Sequence, residues 1–368
     1  MTEACGQAVS FFLPHEEIAT VESLGGGIVN DTWCLTLQSG KKYILQRLNP
    51  SVFPDPIAVQ DNLRKVTDHL HAQLRARLPT LPQLTSLSHP RNRDFTLFHP
   101  VSNRAGAISY QDSKGAFWRL LTHIDHTRSL HSISTPGQAE EIGAALGLFH
   151  QLLATLPPES LTDPLPGFHN TPRYLAQYER VLSAPHNPEA EDCRTFIERH
   201  RQDAFLLEKA RKRGSVRQQV IHADPKVANF LFSEDAKSVI SLIDLDTVRP
   251  GLLLHDIGDC LRSCCNPLGE EVENPEDILF QADFFAAAVK GYLATAAELL
   301  TSEDKRLLVD SAWLISFELG LRFYSDYLVN NCYFKVNYPE QNLFRARIQF
   351  ALAHSIEQQY DRLYAMIQ

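Results

Sequence analysis

The sequence has no C-x-x-C pair, no excess of basic charge and no long apolar run. Each absence excludes a class. The seven cysteines (Cys5, Cys34, Cys193, Cys260, Cys264, Cys265, Cys332) are odd in number and unpaired in spacing, which argues for reduced thiols over a disulfide framework or a zinc site. Lys and Arg number 35 against 44 Asp and Glu, a net charge of -9, so non-specific nucleic-acid binding through a basic face is not expected. A local basic pocket for an anionic ligand stays open, since net charge says nothing about local fields. No stretch approaches the roughly twenty apolar residues of a membrane span. The acidic-leaning start holds only the short run "AVSFFL", too little for a secretory signal. A cytoplasmic protein with no nucleic-acid and no membrane partner is the expectation.

What is present suits a globular enzyme: 44% hydrophobic and 21% charged residues, in 368 positions that allow two lobes with a core each. The first third reads as strands. The run 19–48 is β-rich and broken by Gly25-Gly26-Gly27 and by the turn Gln38-Ser39-Gly40-Lys41. A helix follows, with Pro56 in its first turn and Ile57, Leu63, Val66, Leu70 and Leu74 near a 3.6-residue period. "RDFTLFHPV" (93–101) and "GAISYQDSKGAFWRLLTHI" (106–124) read as further strands. Beyond Leu130 the pattern turns helical, over 135–156, 172–183 and 189–213, with short strands at "QQVIHAD", "NFLFSE" and "VISLIDLD". The expected fold is α+β: a small sheet-rich lobe over 1–122, a hinge near Thr122-His123-Ile124, and a larger helical lobe over 123–368.

The chemistry gathers in "VIHADPKVANFLF" (220–232) and "VISLIDLD" (239–246). Phosphoryl transfer asks a protein for positioning, charge neutralisation by a metal, and a group to accept the attacking hydroxyl's proton. Asp224 can accept that proton, and Lys226 can offset charge on the phosphoryl group. Asn229 can turn an amide oxygen, and Asp244 a carboxylate, to a magnesium ion, which prefers hard oxygen donors. The run H-A-D-P-K-V-A-N matches the kinase catalytic loop H-R-D-L-x-x-x-N at His, Asp and Asn. An Asx-stabilised turn is the bland alternative for Asp224 and Asn229 alone; the downstream "IDLD" strand favours the kinase-like reading. Glycines in "LGGGIVNDT" allow close backbone approach to a phosphate, although such a run also makes an ordinary hairpin. His222 is read as a brace for the loop. Asp246 stands evenly between supporting the metal ligand and holding a backbone amide. Asp256 and Asp259 are read as anchors of the helix that follows, and Cys264-Cys265 as packing.

These residues resemble the aminoglycoside phosphotransferase and choline kinase superfamily, which has the protein-kinase-like fold. "VNDTW", "YILQRLNPSVFPDP", "FHNTPRY", "GDCLR", "GLRFYSDYL" and "CYFKV" extend the likeness to bacterial N-acetylhexosamine 1-kinases. The resemblance implies Asp224 as catalytic base and Asn229 and Asp244 as ligands of Mg2+. It implies ATP under the loop Gly25, Gly26, Gly27, Asn30 and Thr32, with its adenine at the hinge, Thr122 and Ile124. The C-terminal helices would build the acceptor pocket for a small molecule, a sugar, with Arg322 and Tyr333 contacting it. Otherwise Arg322 pairs with a structural carboxylate and Tyr333 is core.

Two departures stand out. Kinases usually place a lysine on the third strand and a glutamate on the next helix. "YILQRL" offers Gln46 or Arg47 instead, only one of which can face nucleotide, and "IAVQDNLRKVTDHL" has no glutamate; Asp61 is a candidate partner for Arg47. Ile28 also stands where such sugar kinases often carry histidine, which leaves the acceptor open. Related chemistry on an amino alcohol or aminoglycoside is the alternative within enzymes, and a nucleotide-binding pseudokinase the alternative outside them.

Overall fold

The computed structural model describes residues 3–25, 30–77, 95–182 and 190–368. Gly26, Gly27 and Ile28 lie outside the described residues. The chain starts with a helix the strand-rich reading did not foresee, α1 (Glu3–Phe12). Its Cys5, Ala8, Val9 and Phe12 follow helical spacing and are all buried. They pack on a five-stranded sheet ordered β1-β2-β3-β5-β4, made of β1 (Ile18–Ser23), β2 (Asp31–Leu37), β3 (Lys42–Arg47), β4 (Tyr110–Gln111) and β5 (Phe117–Thr122).

Every neighbouring pair in this sheet is antiparallel. Side chains therefore sort by parity. Leu35, Leu37, Tyr43, Leu45, Trp118 and Leu120 join the α1 cluster. Ile44 and Leu121 go to the other face and pack into the main core below. Gln46 and Arg119, directly paired across β3 and β5, share that second face.

The helix expected after Pro56 forms as α2 (Pro56–Arg77), with Asp55 Oδ1 accepting the Ala58 N–H at 3.0 Å. Its buried stripe is Val59, Leu63, Val66 and Leu70; Ile57, expected in the stripe, is exposed. "RDFTLFHPV" forms no ladder strand among its described residues. Phe95, Leu97 and Phe98 go into the core instead, and the backbone contacts are the Thr96 N–H to Ile240 O (2.8 Å) and a single bridge from Pro100 to Leu121. The pattern F-x-L-F breaks alternation, so one strand face cannot bury all three.

Beyond Thr122 come β6 (Thr127–Ser129), α3 (Pro136–Leu153), α4 (Thr171–Leu182), α5 (Glu191–Arg199) and α6 (Leu206–Lys212). The helical run expected over 189–213 is thus broken, at the turn where His200 Nδ1 meets Asp203 Oδ2 at 3.1 Å. Two small β units follow: β7 (Gln218–Ile221) pairs with β10 (Arg249–Leu252), and β8 (Phe230–Ser233) pairs with β6 and with β9 (Val239–Leu242). The rest is helical: α7 (Leu253–Cys264), α8 (Ala282–Ala296), α9 (Ser302–Arg306), α10 (Leu308–Leu328), α11 (Gln341–Gln358) and α12 (Tyr360–Ala365). α3 and α8 meet backbone to backbone: a Cβ on Gly143 would stand 1.9 Å from Ala288 O, and one on Gly291 2.1 Å from Glu140 O.

Candidate active site

The hairpin β8–β9 sets the geometry. Phe230 pairs with Leu242, so the residues just outside the ladder, Asn229 and Ile243, are neighbours, and the Ile243 N–H donates to Asn229 O at 2.9 Å. That bond brings Asn229 beside the turn that carries Asp244. The β7–β10 pairing, Ile221 opposite Arg249, draws the start of the first loop and the end of the second together. Asp224, Lys226, Asn229 and Asp244 therefore come from two loops at one edge of these small sheets.

Within the first loop Lys226 Nζ donates to Asp224 Oδ2 at 2.5 Å. Asn229 Nδ2 donates to Asp224 O at 2.7 Å and to Asp224 Oδ2 at 3.2 Å. Asp224 Oδ1 is the carboxylate oxygen with no partner among the described residues, and the Asn229 amide oxygen is likewise free. Burial acts to raise the Asp224 pKa, but Lys226, helped by Arg262, outweighs it and holds the carboxyl below its ordinary value. Asp224 is thus an anion with one oxygen pinned and one open.

Asp244 differs. It sits in the left-handed region, φ 66°, and its carboxylate has no hydrogen bond or ion pair among the described residues. Burial and the nearby Asp246 push its pKa up to about 6, against the pull of Lys226. A carboxylate raised by burial and like charge is a site that gains from a cation. Among the described residues no cluster of three or more His, Cys, Asp or Glu side chains could hold a metal. The donor set, one carboxylate and one amide oxygen, fits magnesium, which is bound through one or two protein oxygens plus substrate phosphates.

The loop is held rigidly from behind. His222, fully buried, donates from Nε2 to Ile243 O at 2.9 Å and accepts the Asp224 N–H on Nδ1 at 3.2 Å, the bracing role read from the sequence. Asp256 corrects its reading as an anchor of its own helix. From the first turn of α7 its two oxygens accept the N–H groups of His222 and Ala223, each at 2.7 Å, and His150 Nε2 lies 2.8 Å away. It anchors the loop that carries Asp224. Asp259 pairs with Arg262 at 2.8 Å, within α7. Cys264 and Cys265 are fully buried packing residues.

The roof of the site holds what the sequence left unresolved. Gln46 lies on the face toward the helical lobe. Arg47 lies on the other face, bonds the exposed Asp31 at 2.5 Å rather than Asp61, and sits over Trp118. Gln46 Nε2 donates to Thr32 Oγ1 at 3.2 Å, and Gln46 Oε1 accepts from Arg119 Nε at 2.8 Å. Arg119 in turn pairs with Asp246 at 2.5 Å, both side chains only 2% exposed. Asp246 Oδ2 also accepts from Asn30 Nδ2 at 2.6 Å, while Asn30 Oδ1 accepts the Asn49 N–H at 3.0 Å. One network thus runs from Thr32 and Asn30, at the end of the glycine loop, through Gln46 and Arg119 to the turn that carries Asp244. Asp246 holds two side chains, Arg119 and Asn30, and accepts from no backbone amide among the described residues. Arg119 went unnoticed in the sequence; the one signal was a cation inside the apolar run "FWRLLT".

In the segment read as a hinge, Thr122 Oγ1 accepts the His99 N–H at 2.9 Å, and Ile124 O accepts from Thr127 Oγ1 at 2.7 Å. Gly25, exposed, leads into the glycine loop with open space around it. On the far side Arg322, from α10, lies over four rings: Phe168, Tyr174, Tyr333 and Phe334, at 4.9 to 5.9 Å. It has no hydrogen-bond partner and no carboxylate ion pair among the described residues. Tyr333 is 55% exposed, not core.

The model of the phosphotransferase enzyme family (APH) matches residues 20–297. The chain is similar to the structure of a microcompartment-associated aminopropanol kinase (16% identity, 99% of each chain, TM-score 0.65). It is also similar to an aminoglycoside phosphotransferase from Alicyclobacillus acidocaldarius (15% identity, 97% of this chain and 96% of that one, TM-score 0.59). A choline/ethanolamine kinase family protein from Mesorhizobium loti aligns at 13% identity over 99% of this chain and 98% of its own, TM-score 0.58. Identities this low speak to the fold alone, which is protein-kinase-like.

Proposed function

Because the chain belongs to the phosphotransferase enzyme family, whose members phosphorylate hydroxyl groups, we propose that it transfers the γ-phosphate of ATP to the anomeric hydroxyl of an N-acetylhexosamine. The observation that carries the sugar is Arg322 in its aromatic box. A cage of Phe168, Tyr174, Tyr333 and Phe334 is what an ammonium acceptor would need, and here the protein's own guanidinium fills it. The open N–H groups of that guanidinium suit a neutral acceptor rich in hydroxyl and carbonyl oxygens.

In this reading the open Oδ1 of Asp224 takes a hydrogen bond from the acceptor hydroxyl, orients it, and receives its proton as the oxygen attacks. Lys226 holds Asp224 ionised and places positive charge beside the transferring group. Asn229 and Asp244 hold Mg2+, which when bound would neutralise charge on the phosphates. The glycine loop covers the nucleotide, Thr32 and Gln46 form part of its roof, and Thr122 and Ile124 border the adenine. Arg322 and Tyr333 contact the sugar.

The experiment is ADP release with ATP and magnesium across N-acetylhexosamines, other hexoses and amino alcohols. Release is expected with an N-acetylhexosamine and should fall by about 10²–10⁴-fold in Asp224→Asn. Release with amino alcohols alone would overturn the acceptor assignment. Nucleotide binding without release on any acceptor would favour a pseudokinase.

A further inference from the structure

His169 and Thr171 play no part in the chemistry above, yet His169 reaches the loop that carries Asp224. His169 Nδ1 lies 3.0 Å from Glu318 Oε1, and His169 Nε2 lies 2.8 Å from Ala223 O. Both partners are acceptors. A neutral imidazole carries one N–H and can serve only one of them; the imidazolium serves both. Glu318 is itself held, its second oxygen accepting from Thr171 Oγ1 at 2.7 Å. The two side chains are 5% and 2% exposed, so the contact lies inside the protein.

The surroundings agree in sign. Burial acts to lower the His169 pKa, but the Glu318 carboxylate, helped by Asp259 on α7, outweighs it and leaves the pKa raised. His255 on α7 stacks on the His169 ring at 5.2 Å and is pushed down to about 3, first by burial and then by the His169 charge, so it stays neutral. Arg322 stands one helical turn from Glu318 on α10. Arg249, on β10, donates to Phe168 O at 3.1 Å. On the catalytic loop, Asp224 follows Ala223 directly.

Ala223 has φ 70° and His169 φ 56°, left-handed backbone that a residue with a side chain adopts only when its surroundings impose it. Asp256 grips the N–H of Ala223, and His169 grips its C=O. The residue before the candidate base is therefore fixed at both ends, by a carboxylate behind and an imidazole in front.

We propose that His169 is a buried imidazolium that positions Asp224, tying the catalytic loop to Glu318 on the helix that also carries Arg322. The inference rests on the kinase reading of Asp224, but its first readout does not depend on activity. In the full-length protein labelled with 15N in its histidine rings, the His169 signals, identified by their loss in His169→Gln, should show both nitrogens protonated at about pH 8, well above the ordinary value of about 6.5. In Glu318→Gln that double protonation should be lost as pH rises through about 6.5. On the acceptor identified by ADP release, kcat of Glu318→Gln should fall about ten- to hundredfold, and further with rising pH, while the KM for ATP holds. A single neutral tautomer in the native protein at neutral pH would overturn the proposal, as would a Glu318→Gln variant with unchanged kcat. If the native protein phosphorylates no acceptor, the kinase reading fails, and the ring spectra still decide the imidazolium.

Discussion

The network in the roof makes a sharp prediction, because the Arg119–Asp246 pair is buried on both sides. Arg119→Met keeps most of the side chain's length and removes its charge. Asp246 then keeps the Asn30 amide as its donor but loses its counter-charge. Stripping one partner of such a pair costs about 3–5 kcal/mol. Asp246→Leu strands Arg119 in the same way, with the Gln46 amide oxygen as its remaining acceptor, and should cost about as much. The double variant leaves no unpaired charge, only the neutral amides of Asn30 and Gln46 short of a partner, at about 1–3 kcal/mol each. It should therefore be no less stable than either single variant, a coupling of about 3 kcal/mol. Urea unfolding followed by tryptophan fluorescence reads this directly, since Trp118 neighbours Arg119 and stacks on Trp33 at 5.5 Å. Single effects that simply add would refute the reasoning. The same network joins Asn30 and Thr32 to the Asp244 turn, so Arg119→Met should also weaken ATP binding by about tenfold, or 1.4 kcal/mol.

Three further outcomes follow from the structure. Asp244→Asn should lower kcat by about 10²–10³-fold and remove the dependence of nucleotide affinity on magnesium; calorimetric titrations with and without the metal check this, and an unchanged dependence would count against Asp244 as a ligand. Gly143→Ala should destabilise the protein by about 3 kcal/mol or more, since the added Cβ lands on the Ala288 carbonyl; thermal unfolding measures it, and a shift of less than a degree would contradict the close crossing of α3 and α8. Asp256 governs acid stability. Burial raises its pKa, but hydrogen bonds from His150 and the His222 backbone outweigh that and lower it. A lowered folded pKa adds stability that is complete above the unfolded value of about 3.9 and is lost as pH falls through the folded value. In Asp256→Asn the loss of stability below about pH 4 should therefore be shallower, and urea midpoints across the acid range test it.

Local pattern decided which parts of the fold could be read from the sequence. The strands of the first sheet, α2 and α3 were legible because each carries its own periodicity and its own starting signal, Pro56 after Asp55 and Pro136 after Thr135. α1 had a legible signal as well, Cys5, Ala8, Val9 and Phe12 at helical spacing, hidden by reading that segment only as a possible leader. "RDFTLFHPV" misled because β-forming residue types are equally at home in an extended segment that buries Phe95, Leu97 and Phe98 without a ladder. Parity in β3 could not be settled, since Tyr43, Ile44 and Leu45 are all apolar and either face could have been the buried one. The register opposite Thr32 and Arg119 settles it, and register is a property of three strands together.

The candidate site divides along the same line. Asp224, Lys226 and Asn229 lie within six residues, and their chemistry is a short-range matter that the spacing expresses. Their support is not short-range. Asp256 reaches back to the His222 and Ala223 amides from another element, His169 reaches the Ala223 carbonyl from a third, and Arg119 crosses from the sheet to Asp246. Residue type alone gives no hint of such partnerships, because a buried charge reads in sequence like any other polar residue. It becomes conspicuous only when its partner is known, since an unpaired charge could not remain there. The missing strand lysine shows the consequence. Judged by position along the chain, Gln46 is a lost cation; judged by position in space, Gln46 holds a cation supplied by the neighbouring strand, fixed against the turn that bears Asp244.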